Sequence, residues 1–252
     1  TKTYEINHLG RARVAKLSKE RGVGRYILAS SASIYGQQEE IVDENASIKP
    51  LTAYSKANRK AEESALPLND DDFTVTALRF SSVYGVSPRM RFDTAVNVMV
   101  LDLFNKGKIT VRGQGNKRPF VHILDVARAY EIVINASKEK IGGQIFNVGS
   151  DEQNYEMGQL AKEITDGVGE ECQLELEDSP DHRSYAASFK KIRETLNFVP
   201  NYTVKQGAKE IHDALKSEIL KDSKKTRTVE WYKTLLSDKV LAKDVLLNES
   251  LL

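Results

Sequence analysis

The feature that most constrains the fold is an alternation of short apolar runs with longer stretches of helical periodicity. Apolar runs at 26–29, 73–78 and 144–148 have the length and residue types of buried strands. Stretches with helical periodicity alternate with these runs, at 4–21, 52–66, 93–106 and 124–137. Strands that alternate with helices are typical of a parallel sheet covered by helices, so we predict an α/β fold. Further strands are expected near 109–111 and 172–177.

The first helix is predicted from its apolar residues. Ile6, Val14, Ala15 and Leu17 fall on one side of it, and glycines at 22 and 24 end it.

The overall charge and the cysteine count exclude several classes of function. Lysine and arginine (37) nearly balance aspartate and glutamate (36), so no global positive field favours nucleic acid or an anionic membrane. No stretch approaches the ~20 apolar residues of a membrane span. The single Cys172 rules out an internal disulfide and suits a reducing compartment. We predict a cytoplasmic protein with no nucleic-acid partner, no membrane association and no metal site.

Three segments place polar residues where a parallel sheet binds ligands. Ser31 lies in 29–36, directly after a predicted strand; Tyr54 opens a predicted helix; Arg118 begins the segment 118–127. Each has a plain structural explanation, since serines cap loops, tyrosines pack and Arg-Pro-Phe forms turns. In doubly wound sheets, however, ligands bind beyond the carboxyl ends of strands, where Ser31 falls.

Taken in order, the motifs resemble those of a known family. Leu-Arg-Phe-Ser-Ser-Val-Tyr-Gly at 78–85 lies between the second and third of these segments, and Phe-Asn-Val-Gly at 146–149 and Asp-His-Arg-Ser-Tyr at 181–185 follow the third. This series resembles the extended short-chain dehydrogenase/reductases, and among them the UDP-galactose 4-epimerase-like enzymes of the NAD-dependent epimerase/dehydratase family. The resemblance runs from about Asn7 to about Ala214.

The resemblance implies a fold, a cofactor and partners. The chain would be the C-terminal portion of a Rossmann-like doubly wound parallel sheet with a smaller mixed α/β substrate domain. Residues 1–85 would form the remaining part of the dinucleotide-binding domain. Residues 86–252 would be mostly substrate-binding, with about 120–150 returning to the Rossmann sheet. The cofactor would be NAD, with NADP not excluded, the substrate a nucleotide sugar, and the assembly a homodimer.

The resemblance also assigns roles to residues. Tyr54 would take the proton of a sugar hydroxyl while a hydride leaves the same carbon for NAD, and Ser31 would bridge the two oxygens. The catalytic set would be Tyr54, Ser31 and Asn58. The cofactor would contact Asn7, Ala29, Tyr54, Asn58 and Ser81. The substrate would contact Ser31, Ser82, Arg118, Arg183 and Tyr185, with Arg118 holding the phosphates through a planar bidentate donor.

Two departures from the family pattern matter. Position 58 is Asn where the family has the lysine of Tyr-x-x-x-Lys, so no cation shares a helix face with Tyr54. We therefore expect catalytic turnover to be slower. Lys56 would reach the site only through a distorted helix start.

The sequence also contains no glycine-rich G-x-G-x-x-G loop. We expect a fragment that lacks at least two βαβ units, roughly 60 residues at ~30 each.

The residues after Ser31 indicate which of the related reactions the chain is expected to catalyse. Relatives that dehydrate or decarboxylate the sugar carry an acid there, whereas this chain has Ala, Ser and Ile at 32–34. Glu39 and Glu40 are expected to be solvated loop residues. We therefore predict a nucleotide-sugar epimerase. The alternatives are a ketoreductase or dehydratase of the same family, or a non-catalytic sugar-nucleotide-binding relative, which Asn58 favours.

Overall fold

A computed structural model describes residues 2–178 and 183–238, and the backbone of 246–247 and 250–251. The α-helices are α1 (Lys2–Tyr4), α2 (Arg11–Glu20), α3 (Ala53–Ala65), α4 (Ala95–Lys106), α5 (Ile123–Asn135), α6 (Lys138–Ile141), α7 (Met157–Val168), α8 (Lys190–Leu196), α9 (Val204–Lys216) and α10 (Thr228–Ser237). The strands are β1 (Arg25–Ser31), β2 (Gln37–Val42), β3 (Thr74–Phe80), β4 (Ser82–Tyr84), β5 (Lys108–Arg112), β6 (Lys117–His122), β7 (Ile145–Val148), β8 (Asn154–Glu156), β9 (Gln173–Glu177), β10 (Ser184–Ala187), β11 (Leu246–Leu247) and β12 (Ser250–Leu251). The predicted α/β class is confirmed.

The first sheet contains three of the predicted strands in the order β1-β3-β7, all parallel. The register pairs Ser31 with Phe80, and Phe80 with Val148. The three strands therefore end side by side, and the residues that follow them share one edge of the sheet. This edge is where ligands of doubly wound sheets bind.

A second sheet begins one residue after β3. Ser81 separates β3 from β4, and β4 pairs in parallel with β6, which pairs antiparallel with β8. Strand β2 pairs in parallel with β10, and β5 pairs in parallel with β9. Near the C-terminus, β11 and β12 form an antiparallel pair. The predicted boundary at residue 85 and the return over 120–150 stay predictions, although β7 does pair with β3.

Strands β2, β6, β8 and β10 were not predicted, because none of them contains the longer apolar run that reveals a buried strand. Strand β2 reads Gln-Gln-Glu-Glu-Ile-Val, and only Val42 of it is buried. Its partner β10 is four residues long. Glu39 and Glu40 are exposed, as expected, but they lie in this strand and not in a loop.

The first helix has most of its apolar side at the surface. The helical stretch was predicted correctly, and of its four apolar residues only Ala15 is buried; Ile6, Val14 and Leu17 are about half exposed. The small side chain of Ala15 lets α2 approach the core, while the three larger side chains remain at the surface. Residues Glu5–Gly10, between α1 and α2, form a π-helical turn.

A buried ion pair joins the helix of Tyr54 to the first sheet. Glu62 of α3 and Arg79 of β3 are 0% and 1% exposed, and Arg79 donates to both carboxylate oxygens of Glu62 at 2.9 and 2.8 Å. Ser30 of β1 donates to the same carboxylate at 2.5 Å. Arg79 also donates to the Tyr35 hydroxyl at 2.9 Å. The pair therefore holds α3, β1 and β3 together directly beneath the edge where Ser31 lies.

Among the described residues, no helix is both long enough and apolar enough to cross a membrane.

Candidate active site

A cavity of about 900 Å³ opens at the carboxyl ends of β1 and β3. This volume is within the usual range for sites that bind small molecules, ~300–1,000 Å³. Eight of the ten residues predicted for the site line it: Ala29, Ser31, Tyr54, Ser81, Ser82, Arg118, Arg183 and Tyr185. The other two, Asn7 and Asn58, lie behind its wall.

Ser31 is positioned by the end of β1. Its hydroxyl caps the short 3-10 helix Ala32–Tyr35, accepting from the Ser33 amide at 3.2 Å and donating to the Ser33 hydroxyl at 2.9 Å. Gly36 ends this turn with φ of +72°, and a Cβ there would overlap the carbonyl oxygen of Lys49. The serine therefore does cap a loop, and it also lines the cavity.

Tyr54 is positioned by the start of α3. Thr52 and Ser55 form a reciprocal capping box, in which Ser55 N–H donates to the Thr52 hydroxyl at 3.1 Å and Thr52 N–H donates to the Ser55 hydroxyl at 3.0 Å. The cap fixes where the helix begins, so Tyr54, its second residue, lies in the cavity wall.

Of the tyrosines that line the cavity in the described chain, Tyr54 alone is well exposed, at 42%. Tyr84 is 1% exposed, donates to the Gln153 side-chain oxygen at 2.7 Å, and has its phenol pKa raised by burial. Tyr185 is 3% exposed and packs in the core. Tyr54 is therefore the phenol best placed to exchange a proton with a ligand.

Asn58 is fully buried, and both ends of its amide are engaged. Its Nδ2 donates to the Tyr54 carbonyl at 2.9 Å, and its Oδ1 accepts from Arg11 at 2.6 Å. Asn7 accepts from the same guanidinium at 3.1 Å. The structure thus links both residues to Arg11, which lines the cavity. Sequence analysis missed Arg11, although its spacing of four from Asn7 places the two on one helix face.

Ser81 is a buried hydroxyl without a hydrogen-bond partner. It is 5% exposed, lines the cavity and lies under Gly149, where a Cβ would come within 2.5 Å of its Oγ. A buried hydroxyl left unsatisfied destabilises a protein by about 1–3 kcal/mol, so the position favours a polar ligand that would bond to it.

The lining of the cavity is rich in arginine. Arg118 donates to the Arg183 carbonyl, and its guanidinium lies 5.6 Å from the centre of the Tyr185 ring. The strands β6 and β10 carry these residues or their neighbours, so the predicted substrate residues do come together. Asp181 and His182 of the same motif lie outside the described residues.

Three further arginines line the cavity and were not predicted: Arg89, Arg91 and Arg112. Arg91 pairs with Asp93 at 2.9 Å, and Arg112 pairs with Glu177 at 2.9 Å. None of the motifs identified in the sequence contains them, and arginines on exposed loops and strand ends carry no signal in a single sequence. Together with Arg118 and Arg183 they make the cavity suited to an anionic ligand.

The described residues contain no group of three or more His, Cys, Asp or Glu side chains arranged to hold a metal ion.

Comparison with known proteins gives a family and a set of relatives. The model of the NAD dependent epimerase/dehydratase family matches residues 1–149. A Bacillus subtilis protein described as an uncharacterized UDP-glucose epimerase is 25% identical over 199 residues, which are 77% of this chain and 61% of that protein. A UDP-glucuronate 4-epimerase of Thermodesulfobacterium geofontis is 25% identical over 210 residues, 81% of this chain and 63% of that protein.

Solved structures share the fold. The UDP-glucuronic acid 4-epimerase of Bacillus cereus, in complex with UDP-glucuronic acid and NAD, superposes with a TM-score of 0.74 at 21% identity, covering 84% of this chain and 68% of that one. The UDP-glucose 4-epimerase of Thermotoga maritima gives 0.75 at 20% identity, covering 86% and 71%. The chain spans about three fifths of the length of the two curated relatives.

Proposed function

Because the chain belongs to the NAD-dependent epimerase/dehydratase family, we propose that it carries the catalytic and substrate-binding residues of a nucleotide-sugar epimerase. The observation that carries the proposal is that Ser31 and Tyr54 line the same cavity as Arg118 and Arg183. A sugar would lie at Ser31 and Tyr54, with its nucleotide phosphates at the arginines.

The cavity fits the nicotinamide cofactor of the family. Ser81 offers a buried hydroxyl without a partner, and Arg11 a part-buried guanidinium. Ala29, Ser81 and Tyr54 would hold the cofactor, as the sequence predicts, and Asn7 and Asn58 would act by orienting Arg11. When bound, NAD would supply a reversible hydride acceptor for the sugar carbon.

Tyr54 would accept the proton of the sugar hydroxyl as the hydride leaves, and would give it back when the hydride returns. Ser31 would donate to the same sugar oxygen by turning its one hydroxyl hydrogen away from the Ser33 hydroxyl, while the turn that it caps holds its oxygen at the cavity. Arg118 would hold the phosphates, because its guanidinium is fixed by the Arg183 carbonyl and the Tyr185 ring. A homodimer in the cytoplasm belongs to the same proposal.

The side chains after Ser31 support epimerisation over dehydration. Ala32, Ser33 and Ile34 are buried and carry no carboxyl group, so they offer no acid or base for the neighbouring sugar carbon. UDP sugars are the first substrates to test, because several related structures were solved with UDP-glucuronic acid or UDP-glucose. A ketoreductase uses the same oxidation step, and it remains the alternative within the family.

The test uses the protein produced from its complete gene. Cofactor released by denaturation is assayed first, and UDP-glucose and UDP-glucuronic acid are then followed for their 4-epimers by NMR. We expect Tyr54→Phe to lower kcat by about 10²–10⁴-fold, the usual contribution of a positioned acid or base. Tyr232→Phe is the matched control, since Tyr232 is 41% exposed and lies outside the cavity.

Two results would contradict the proposal. Full activity in Tyr54→Phe would remove Tyr54 as the base. Binding of a UDP sugar without turnover, in the wild-type protein supplied with NAD, would favour the non-catalytic alternative, which Asn58 motivates.

A further inference from the structure

Arg11 has an unusual set of partners for a guanidinium in a cavity wall. Its Nη1 donates to the Ala29 carbonyl at 2.7 Å and to the Asn58 side-chain oxygen at 2.6 Å, and its Nη2 donates to Asn7 at 3.1 Å. All three acceptors are neutral. They fix the direction of the guanidinium without compensating its charge.

Arg79 has a carboxylate partner, whereas Arg11 has none among the described residues. Arg79 is buried against the Glu62 carboxylate, whereas Arg11 makes no ion pair within residues 2–178 and 183–238. A guanidinium has five N–H donors, so the three hydrogen bonds leave two of them for a ligand. A partly buried cation with spare donors favours an electron-rich oxygen, and hydrogen bonds to charged groups are stronger than neutral ones.

The position of Arg11 determines which ligand this would be. Arg11 lines the cavity beside two of the residues predicted to hold the cofactor, since it donates to the Ala29 carbonyl and its partner Asn58 donates to the Tyr54 carbonyl. It also contacts the buried Asn58, the position at which the family pattern has a lysine.

We propose that Arg11 supplies the positive charge that position 58 lacks, and that its remaining donors bind oxygen atoms of the nicotinamide cofactor. The inference rests on the proposed function for the identity of that cofactor. Asn58 and Asn7 are positioning residues here: they orient Arg11 and do not touch the ligand.

Calorimetric titration with NAD tests the proposal in the protein from its complete gene, because it needs no turnover. Arg11→Met removes the charge and keeps the aliphatic stem. We expect it to weaken NAD binding by about 10- to 100-fold, the loss of one or two charge-assisted hydrogen bonds. Arg11→Lys keeps a cation and should recover most of the affinity. Arg13→Met is the control, since Arg13 is exposed on the same helix and lies outside the cavity.

A second-site variant separates charge from structure. Asn58→Lys in the Arg11→Met background returns a cation from α3 and should restore NAD binding, whereas Asn58→Met in that background should not. Melting temperatures of all variants are measured without ligand, so that a folding defect is recognised. A merely structural Arg11 would be rescued by neither lysine.

The outcomes separate this inference from the proposed function. If the wild type binds NAD and Arg11→Met binds it equally well, the inference is wrong and the proposed function stands. If Arg11→Met weakens only UDP-sugar binding, Arg11 serves the substrate and the inference is again wrong. A wild type that binds no NAD overturns both. NAD binding that depends on Arg11, in a protein without turnover, supports the inference and contradicts the proposed function.

Discussion

The Glu62–Arg79 pair gives the sharpest stability prediction. Replacing Glu62 by Leu keeps most of the side-chain volume but leaves the Arg79 guanidinium, 1% exposed, without its carboxylate. The remaining partners of Arg79, the Tyr35 hydroxyl at 2.9 Å and the Glu44 carbonyl at 3.2 Å, are neutral. Ser30 also loses its acceptor. The variant therefore contains an uncompensated buried charge and an unsatisfied hydroxyl.

The expected loss is large on the scale of protein stability. Removing one partner of a buried ion pair usually lowers the free energy of unfolding by about 3–5 kcal/mol. Each kcal/mol corresponds to roughly 2–4 °C in a chain of this size, so the melting temperature should fall by roughly 6–20 °C. Urea unfolding and thermal melts of the wild type and Glu62→Leu measure both quantities.

A double-mutant cycle distinguishes the pair from simple packing. Glu62→Leu with Arg79→Met replaces both charges by apolar groups, and we expect the double variant to be more stable than Glu62→Leu alone. Glu63→Ala is the surface control: Glu63 is 39% exposed and pairs with Arg59 and Lys60, so the loss should stay below about 1 kcal/mol. A Glu62→Leu loss no larger than that of the control, or strict additivity in the cycle, would refute the reasoning.

Further predictions concern the cavity, its supports and the assembly. Ser81→Ala removes a buried hydroxyl that lacks a partner, so the ligand-free protein should gain about 1 kcal/mol by urea unfolding, while NAD binding weakens by calorimetry; a loss of stability would contradict this. Gly36→Ala should lower the free energy of unfolding by at least roughly 1–3 kcal/mol, because the backbone has φ of +72° and the Cβ overlaps the Lys49 carbonyl; an unchanged urea midpoint would oppose it. Burial raises the pKa of Glu44 above its ordinary value, so folding favours the protonated form of this carboxyl group. The stability gained from this preference is fully present below the ordinary glutamate pKa, and it is lost as pH rises through the raised pKa. Glu44→Gln should therefore be more stable than the wild type at neutral pH, with the difference vanishing near pH 4; a constant difference across the titration would exclude this linkage. Sedimentation should give a dimer, and a well-resolved monomer would count against it.

The fold was predictable where burial leaves a mark on the sequence. Strands β3 and β7 are apolar runs because nearly all of their residues are buried, whereas β1 is part-buried and carries its apolar run at 26–29. Helices α3, α4 and α5 show helical periodicity because one face of each is buried. Strand β2 is exposed along most of its length, so nothing in its Gln-Gln-Glu-Glu start distinguishes it from a loop.

The site was predictable only in part, for a related reason. Ser31, Tyr54 and Arg118 belong to motifs with fixed local spacing, and the structure brings them to one cavity. Arg11 reaches Asn58 across 47 residues of sequence, and Arg89 is an isolated residue on a loop. The Arg11–Asn58 contact depends on how α2 packs against α3, which a single sequence does not reveal.

The π-helical turn Glu5–Gly10 affects how the chain tolerates changes in length. Such a turn closes its hydrogen bonds one residue later than an α-helix does, and so accommodates one residue more. Deleting one residue between Asn7 and Arg11 would leave them three apart, in place of four, and both spacings keep two side chains on the same face of an α-helix. This turn is therefore the place in the described N-terminal segment where a one-residue gap in an alignment would preserve the Asn7–Arg11 hydrogen bond.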